Sequence, residues 1–148
     1  MPGGEQPRRP GPRGDVAGPT LIPPRKRLPE QLAKTAEKVA AACIEVHRQL
    51  GAGLDATVYQ RALALEMQAR SIPFEREARV PVAYKGRQID SRRVDFEAEG
   101  CLVEIRSQPA LTAEDVTRAT NYLKASGYQL ALLANFGAPK VDIRTLHA

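Results

Sequence analysis

The sequence has no apolar run long enough to cross a membrane, and it has few cysteines. One of its longest apolar runs, residues 130 to 134, is far shorter than the roughly 20 residues that a membrane-spanning helix needs. The two cysteines, Cys43 and Cys101, lie within apolar patterns and lack the spacing of metal ligands. We therefore expect a cytoplasmic protein without a membrane segment, in which both thiols are reduced and buried.

Residues 1 to 29 contain no serine and no apolar segment, which argues against an organellar transit peptide and against a secretory signal. They contain 8 of the 12 prolines and 5 of the 11 glycines. Because such a segment cannot bury enough apolar surface to offset its ordering entropy, we expect a disordered basic arm. This arm either contacts nucleic acid weakly or is a solvated leader.

The positive charge of the chain belongs mostly to this arm. The arm holds 6 of the 22 basic residues and 2 of the 17 acidic ones, so it contributes +4 of the net charge of +5. The body, residues 30 to 148, is nearly neutral, and the high isoelectric point is therefore no argument for nucleic-acid binding. With 148 residues, 43% apolar and 26% charged, the chain has the composition of one globular domain.

Apolar spacing predicts two helices after the arm. In residues 30 to 50, apolar residues recur at gaps of four and three, which gives one stripe that ends at Gly51. The stripe comprises Leu32, Ala36, Val39, Cys43, Val46 and Leu50. Asp55 is placed to cap a second helix over residues 56 to 70. The residues expected to face inward on this second helix are Val58, Ala62, Leu65 and Ala69.

The remainder of the chain predicts several strand segments and one helix. Strands are expected at residues 75 to 84 and 87 to 89, followed by a hairpin over residues 93 to 106. Thr112 and Asp115 resemble a capping box that begins a helix ending near Ser126. Two further strands are expected at residues 128 to 134 and 141 to 146. The order ααβββαββ predicts an α/β fold with a mixed sheet flanked by helices, because a parallel return requires a crossover.

The predicted hairpin places acidic side chains opposite each other. A two-residue turn at Glu99 and Gly100 sets its register. One face then has three apolar pairs, which assigns it to the core: Ala98 with Cys101, Phe96 with Val103 and Val94 with Ile105. The other face pairs Glu97 with Leu102, Asp95 with Glu104 and Arg93 with Arg106.

Asp95 and Glu104 need a compensating cation, because like charges directly opposite each other destabilise a hairpin. One candidate is a divalent metal such as Mg²⁺, which binds one or two carboxylates together with water and phosphate oxygens. The other candidate is a nearby arginine, which would make the cluster a salt bridge and nothing more. The residues alone leave both alternatives open.

The acidic pair is similar to a known signature. Asp95 is followed by eight residues and then by Glu104, Ile105 and Arg106, which resembles the D-x(n)-E-x-K motif of the PD-(D/E)XK nuclease superfamily. The run IEVHRQLGAGL at residues 44 to 54, followed by Tyr59, resembles the small bacterial GxxExxY family of that superfamily. The later segments NYLK and NFG resemble the same family. The resemblance extends from about residue 31 to residue 146.

This resemblance implies a restriction-endonuclease-like core that hydrolyses phosphodiester bonds of DNA or RNA with Mg²⁺ or Mn²⁺. By the same resemblance, Asp95, Glu104 and the Ile105 carbonyl are the metal ligands, and Arg106 occupies the position of a lysine that orients or activates water. The catalytic residues implied are therefore Asp95, Glu104 and Arg106. Residues that could support the site are Arg118, Asn121, Tyr59 and Arg93.

The sequence departs from the family pattern at three positions. Ala56 stands where the family has a glutamate, and the neighbouring Asp55 points about 100° away around a helix. Arg106 replaces the lysine, and a guanidinium stays protonated and cannot act as a general base. Arg118 replaces a glutamine and adds a second permanent positive charge. Two carboxylates and two arginines then sum to zero, and bidentate arginine bonding can satisfy the acids without a metal.

Three functions remain open from the sequence. The first is a catalytically degenerate nuclease-like protein, a pseudoenzyme that retains the fold. The second is an active magnesium-dependent nuclease, since the Asp95 and Glu104 pair is intact. The third is an accessory protein whose partner surface lies elsewhere.

Several further residues have a structural and a functional interpretation. We predict a hydrogen-bonded structural role for His47 and a packing role for Tyr59 in preference to substrate contact. Tyr122 is expected in the core. Arg92 and Arg93 form either a solvated charge pair or a contact for phosphates on the polar face of the hairpin.

Overall fold

The computed structural model describes residues 21 to 148. Its elements in chain order are α1 (Pro29–Leu50), α2 (Ala56–Ala69), β1 (Glu75–Tyr84), β2 (Arg87–Ala98), β3 (Cys101–Arg106), α3 (Ala113–Ser126), β4 (Leu130–Asn135) and β5 (Asp142–His147). This is the predicted order ααβββαββ. The two short strand segments predicted between residues 87 and 98 form one strand. Among residues 21 to 148, no helix has the length and apolar character needed to cross a membrane.

The five strands form one mixed sheet in the order β1-β2-β3-β4-β5. Neighbouring strands are antiparallel except β3 and β4, which are parallel. α3 connects these two strands, as a parallel return requires. Side chains of α1 and α2 pack with one face of the sheet, and side chains of α3 pack with the other. The architecture is the predicted restriction-endonuclease-like α/β fold.

Local signals set the ends of the helices as expected. Thr112 and Asp115 form the predicted capping box, with reciprocal bonds of 3.0 Å and 2.9 Å. Gly127 ends α3 in the left-handed conformation, with φ of 80°, which glycine adopts at little steric cost. Asp55 occupies the cap position of α2, but its side chain makes no capping bond.

The inward face of α2 differs from the prediction. Val58 and Leu65 are exposed, at 39% and 68%, whereas Tyr59, Leu63 and Met67 are fully buried. α2 carries apolar residues around much of its circumference, so periodicity did not select a single face. Burying the larger aromatic and thioether side chains removes more apolar area from water, and this favours the observed face. On α1 the predicted stripe is buried through Val46, and Leu50 at its end is exposed.

Residues 21 to 28, which precede α1, contact the rest of the domain. The predicted disordered arm spans residues 1 to 29, of which 1 to 20 lie outside the described residues. In residues 21 to 28, the Ile22 carbonyl accepts a 2.9 Å hydrogen bond from the Tyr128 hydroxyl. The Arg27 backbone N–H donates to the Gln129 side chain over 3.1 Å. These contacts join residues 21 to 28 to the linker between α3 and β4, and the predicted disorder of the arm stays a prediction.

Both cysteines are free and buried, as predicted. Cys43 lies on α1 and Cys101 begins β3, and both side chains belong to the core cluster on the α1 and α2 side of the sheet. Burial raises the pKa of each thiol to about 12, because the charged thiolate loses its hydration. The reactive form of either thiol is therefore scarce in the folded protein.

We expect both thiols to be protected from Ellman's reagent while the protein is folded. At about pH 8, a pKa near 12 in place of about 8.5 lowers the thiolate fraction by roughly three orders of magnitude, and burial excludes the reagent as well. After unfolding in urea, both thiols should react rapidly with the reagent. Rapid reaction of either thiol without denaturant would contradict its burial.

Candidate active site

The hairpin formed by β2 and β3 keeps the predicted register near its turn. Ala98 pairs with Cys101, Glu97 with Leu102 and Phe96 with Val103. Glu99 and Gly100 both have positive φ, 47° and 91°, which is typical of the tight turns that match the twist of a hairpin. The described ladder between the strands ends at Phe96 and Val103. The expected direct opposition of Asp95 and Glu104 lies beyond this end and is not formed.

At this point a local irregularity moves the side chains of β2 from one side of the sheet to the other. β1 pairs Arg76 with Phe96 and Ala78 with Val94, and the pairing skips Glu77, which has φ of 48°. Phe96 packs with the α1 and α2 cluster, whereas Val94 packs with the α3 cluster. The predicted sharing of one face by Val94 and Ile105 is therefore wrong, because an irregular residue pair redirects the side chains of a strand.

Asp95 closes the open end of the hairpin with its side chain. Its Oδ2 accepts a 2.8 Å hydrogen bond from the Ile105 backbone N–H. Its Oδ1 accepts a 2.9 Å bond from the Gln60 amide on α2. Gln60 is itself buried, and its amide oxygen accepts a 3.3 Å bond from Arg76. The carboxylate of Asp95 is thus held by neutral donors on two elements.

Glu104 is held by arginines instead. It is 5% exposed and forms a two-bond pair with Arg92 of β2. Arg92 Nη1 lies 2.9 Å from Glu104 Oε2, and Arg92 Nη2 donates to Oε1. Arg106 Nη2 lies 3.7 Å from the same Oε1. Two parallel charge-assisted bonds are the strongest arrangement between these groups, so Glu104 has its counter-charge within the fold.

Tyr122 on α3 supports this cation. Arg92 Cζ lies 4.4 Å from the centre of the Tyr122 ring, and Arg118 Cζ lies 5.4 Å from it. A guanidinium over an aromatic face is attracted by the ring quadrupole. Tyr122 is partly exposed, so the prediction that it belongs to the core is wrong. It packs beneath two guanidinium groups.

Both acids face one cavity of about 400 Å³, which we call the arginine cavity. Its charged lining residues are Glu77, Asp95 and Glu104 together with Arg92, Arg93, Arg106 and Arg118. Ala56, Thr57 and Gln60 of α2 and Ile105 of β3 complete the wall. With three carboxylates and four guanidiniums, the lining has a formal charge of +1, opposite in sign to a cavity built for a dication.

Comparison with known proteins identifies the family. The family model of the PD-(D/E)XK nuclease superfamily matches residues 33 to 146. The chain belongs to the PD-(D/E)XK nuclease superfamily. No curated protein and no solved structure matches this chain. PD-(D/E)XK nucleases generally use Mg²⁺ or Mn²⁺, so the arrangement of the candidate ligands can be tested against that requirement.

The residues present do not fit a metal ion in this arrangement. Each of the three candidate ligands already accepts bonds from the protein: Glu104 from Arg92, Asp95 from Gln60, and the Ile105 carbonyl from Arg106 Nη1 over 3.2 Å. Within residues 21 to 148, no group of three His, Cys, Asp or Glu side chains is placed to hold a metal. Ala56 lines the cavity but has no oxygen ligand to offer. A dication would first have to displace the guanidinium of Arg92.

The other candidate residues of this PD-(D/E)XK domain lie in the arginine cavity, on the exposed face of α3 and in the core. Arg93 and Arg118 line the arginine cavity with Arg106. Asn121 is exposed on α3 and does not line this cavity. Tyr59 is fully buried, and its hydroxyl donates a 2.5 Å bond to the Gly51 carbonyl while its ring stacks on Phe136 at 4.7 Å. The packing role predicted for Tyr59 agrees with this position.

His47 has the predicted structural role, because its Nε2 donates a 3.0 Å hydrogen bond to the Ala138 carbonyl and the ring is buried near Phe136.

Arg92, in contrast, is the site residue that sequence reasoning missed. Its side chain is only 16% exposed, which excludes the solvated charge pair considered for it. The sequence offers no signal for this pair, because residues that share a face across a two-residue turn are an odd number apart, and the separation of twelve predicts opposite faces for Arg92 and Glu104.

Proposed function

We propose that this chain is a catalytically degenerate PD-(D/E)XK protein that binds nucleic-acid phosphates without a metal ion. The observation that carries the proposal is the bidentate pair of Arg92 and Glu104, because it engages a carboxylate that the resemblance assigns to the metal. We further infer that the chain is a GxxExxY protein, from residues 44 to 59, and that it works in a reducing, cytoplasmic compartment, because both buried cysteines are free.

The chemistry of the lining supports the loss of hydrolysis. Phosphodiester hydrolysis in such a site requires an activated water and a cation at the developing phosphoryl charge. Arg106 cannot remove a proton from water at neutral pH. Of the three carboxylates in the lining, Asp95 and Glu104 are engaged by Gln60 and Arg92, and Glu77 lies 3.5 Å from Arg93. None of these groups is left to position a hydroxide beside a phosphate.

The same lining supports phosphate binding. Arg93 and Arg118 are exposed on the rim of the arginine cavity. Within residues 21 to 148, Arg93 has one weak carboxylate contact, 3.5 Å from Glu77, and Arg118 has none within 4.0 Å. Guanidinium groups with open donor sites bind phosphate oxygens in bidentate geometry. A strand of nucleic acid can therefore be held here through its backbone.

An active magnesium-dependent nuclease is the alternative that one observation favours. Asp95, Glu104 and Ile105 face the same cavity, so rotation of Arg92 away from Glu104 would expose two carboxylates and a carbonyl together. In that case DNA or RNA binding would displace the guanidinium onto a phosphate. An accessory role without nucleic acid is the remaining alternative.

The proposal is tested by titrating the purified chain with Mn²⁺ in a calorimeter and by incubating it with labelled DNA and RNA in Mg²⁺ or Mn²⁺. We expect no saturable metal binding and no cleavage, whereas oligonucleotide binding persists in EDTA and weakens as salt is raised. The Arg93→Ala and Arg118→Ala variants should each weaken this binding, while Arg144→Ala, at an exposed ion pair on β5, should not.

Metal-dependent cleavage that is lost in Glu104→Ala would overturn the proposal and establish the nuclease. Absence of both metal and nucleic-acid binding would establish the accessory role. Each of the three functions therefore gives a different result in the same pair of assays.

A further inference from the structure

A second cavity adjoins the arginine cavity. It measures about 370 Å³ and lies between the end of β1 and the outer face of α3. Val82, Tyr122 and Ala125 supply largely apolar walls, and Thr117 and Asn121 place polar groups at its edge. We call it the α3 cavity. Nothing in the site described above uses it, although Asn121 was a candidate for that site.

The two cavities are joined by one residue. Arg118 lines both of them, and its guanidinium lies over the ring of Tyr122, which walls the α3 cavity. A ligand that fills both cavities must therefore have an anionic group and an apolar, flat group next to each other. A nucleotide has this combination, since its phosphate and its base are linked through one sugar.

We propose that the α3 cavity binds one unpaired base of a single-stranded nucleic acid whose phosphate lies in the arginine cavity. This inference rests on the proposed function, because it assumes that the arginine cavity holds a phosphate. The cavity is large enough for a base, and its apolar walls favour a flat aromatic ring over water. The charge of the neighbouring lining, formally +1, complements the phosphate.

Polar groups at the edge of the α3 cavity match the hydrogen-bonding edge of a base. The Asn121 amide can donate and accept, the Thr117 hydroxyl can do the same, and the Glu114 carboxylate accepts from an amino group or ring N–H. In a duplex these base edges are paired and the ring faces are stacked. Entry of a base therefore selects single strands, loops or ends over intact duplex.

The inference is tested by fluorescence anisotropy in EDTA with three labelled ligands of equal length. These are oligothymidylate, the same backbone with abasic sugars, and a blunt duplex. We expect the purified chain to bind oligothymidylate about tenfold more tightly than the abasic strand, which is within the range that one contacted base contributes. The duplex should bind no more tightly than the abasic strand.

A variant that fills the α3 cavity separates the contribution of this cavity to binding from that of the arginine charges. Ala125→Met places a larger side chain in the α3 cavity without changing charge, and we expect it to bind oligothymidylate and the abasic strand equally. Ala69→Met, at an exposed alanine near the end of α2, is the matched control and should keep the tenfold preference. Should Ala125→Met fail to fold, Asn121→Ala changes an exposed residue. It should reduce the preference for oligothymidylate and leave the binding of the abasic strand unchanged.

The outcomes separate this inference from the proposed function. Equal binding of oligothymidylate and the abasic strand by the unmodified chain overturns the base cavity and leaves phosphate binding intact. Tighter binding of the duplex overturns the base cavity as well. Absence of binding to all three ligands removes the proposed function, and the base cavity with it.

Discussion

Replacing Arg92 by alanine is expected to lower the free energy of unfolding by about 3 kcal/mol, in the lower part of the range for breaking a buried ion pair. Glu104, 5% exposed, would keep only Arg106 at 3.7 Å as a counter-charge among residues 21 to 148. The variant also removes the guanidinium from the Tyr122 ring. Urea unfolding followed by circular dichroism measures the change in free energy. The m-value of the variant should equal that of the unmodified chain, which shows that both unfold by the same transition.

Arg144→Ala is the matched control, because Arg144 also makes two bonds to one carboxylate, that of Asp142, but at an exposed position on β5. Its loss should cost less than about 1 kcal/mol, since water screens and replaces the interaction. Arg92→Ala combined with Glu104→Gln should recover part of the loss, because the uncompensated charge is then gone. Equal costs for the two arginine variants would contradict the view that Arg92 is the counter-charge of a buried acid.

Restoring the ligands of the superfamily is expected to restore metal binding only when Arg92 is also removed. The variant carries Ala56→Glu, Arg106→Lys and Arg92→Ala together. A glutamate at position 56 lies one helical turn before Gln60, on the face of α2 that meets Asp95. With Arg92 absent, Glu104 is free to bind the ion, and lysine can assist the water. We expect Mn²⁺ binding by calorimetry and dication-dependent nicking of plasmid DNA.

The nicking rate should exceed the assay background measured with the unmodified chain by roughly 100-fold or more, a gain in the range that positioned acid–base groups provide. Ala56→Glu with Arg106→Lys alone, which retains the pair of Arg92 and Glu104, should show neither metal binding nor nicking. Adding Asp95→Ala to the full variant should abolish both. Metal binding by the variant that retains Arg92 would show that the guanidinium yields readily to a dication, and would favour the active nuclease.

Part of the candidate site can be predicted from the sequence. The hairpin register points to Asp95 and Glu104, the resemblance to the superfamily adds Ile105 and Arg106, and all four line one cavity. The neutralisation of the acids by arginine was also anticipated, but it was assigned to Arg106 and Arg118. The pairing of Arg92 with Glu104 depends on the irregularity at Glu77, where β2 changes its faces. Such a feature arises from the pairing of two strands and has no signature in either strand alone.

The amino-acid sequence by itself determined the order of the elements, the helix ends at Thr112 and Gly127, and the hairpin register near Gly100. These depend on interactions within a few residues, namely capping bonds and turn geometry, so adjacent residue types specify them. Only the tertiary structure decided which face of α2 is buried, how residues 21 to 28 pack, and which arginine meets Glu104. Each of these depends on burial and charge compensation between elements far apart in the chain, where local periodicity permits more than one solution and the best-packed one prevails.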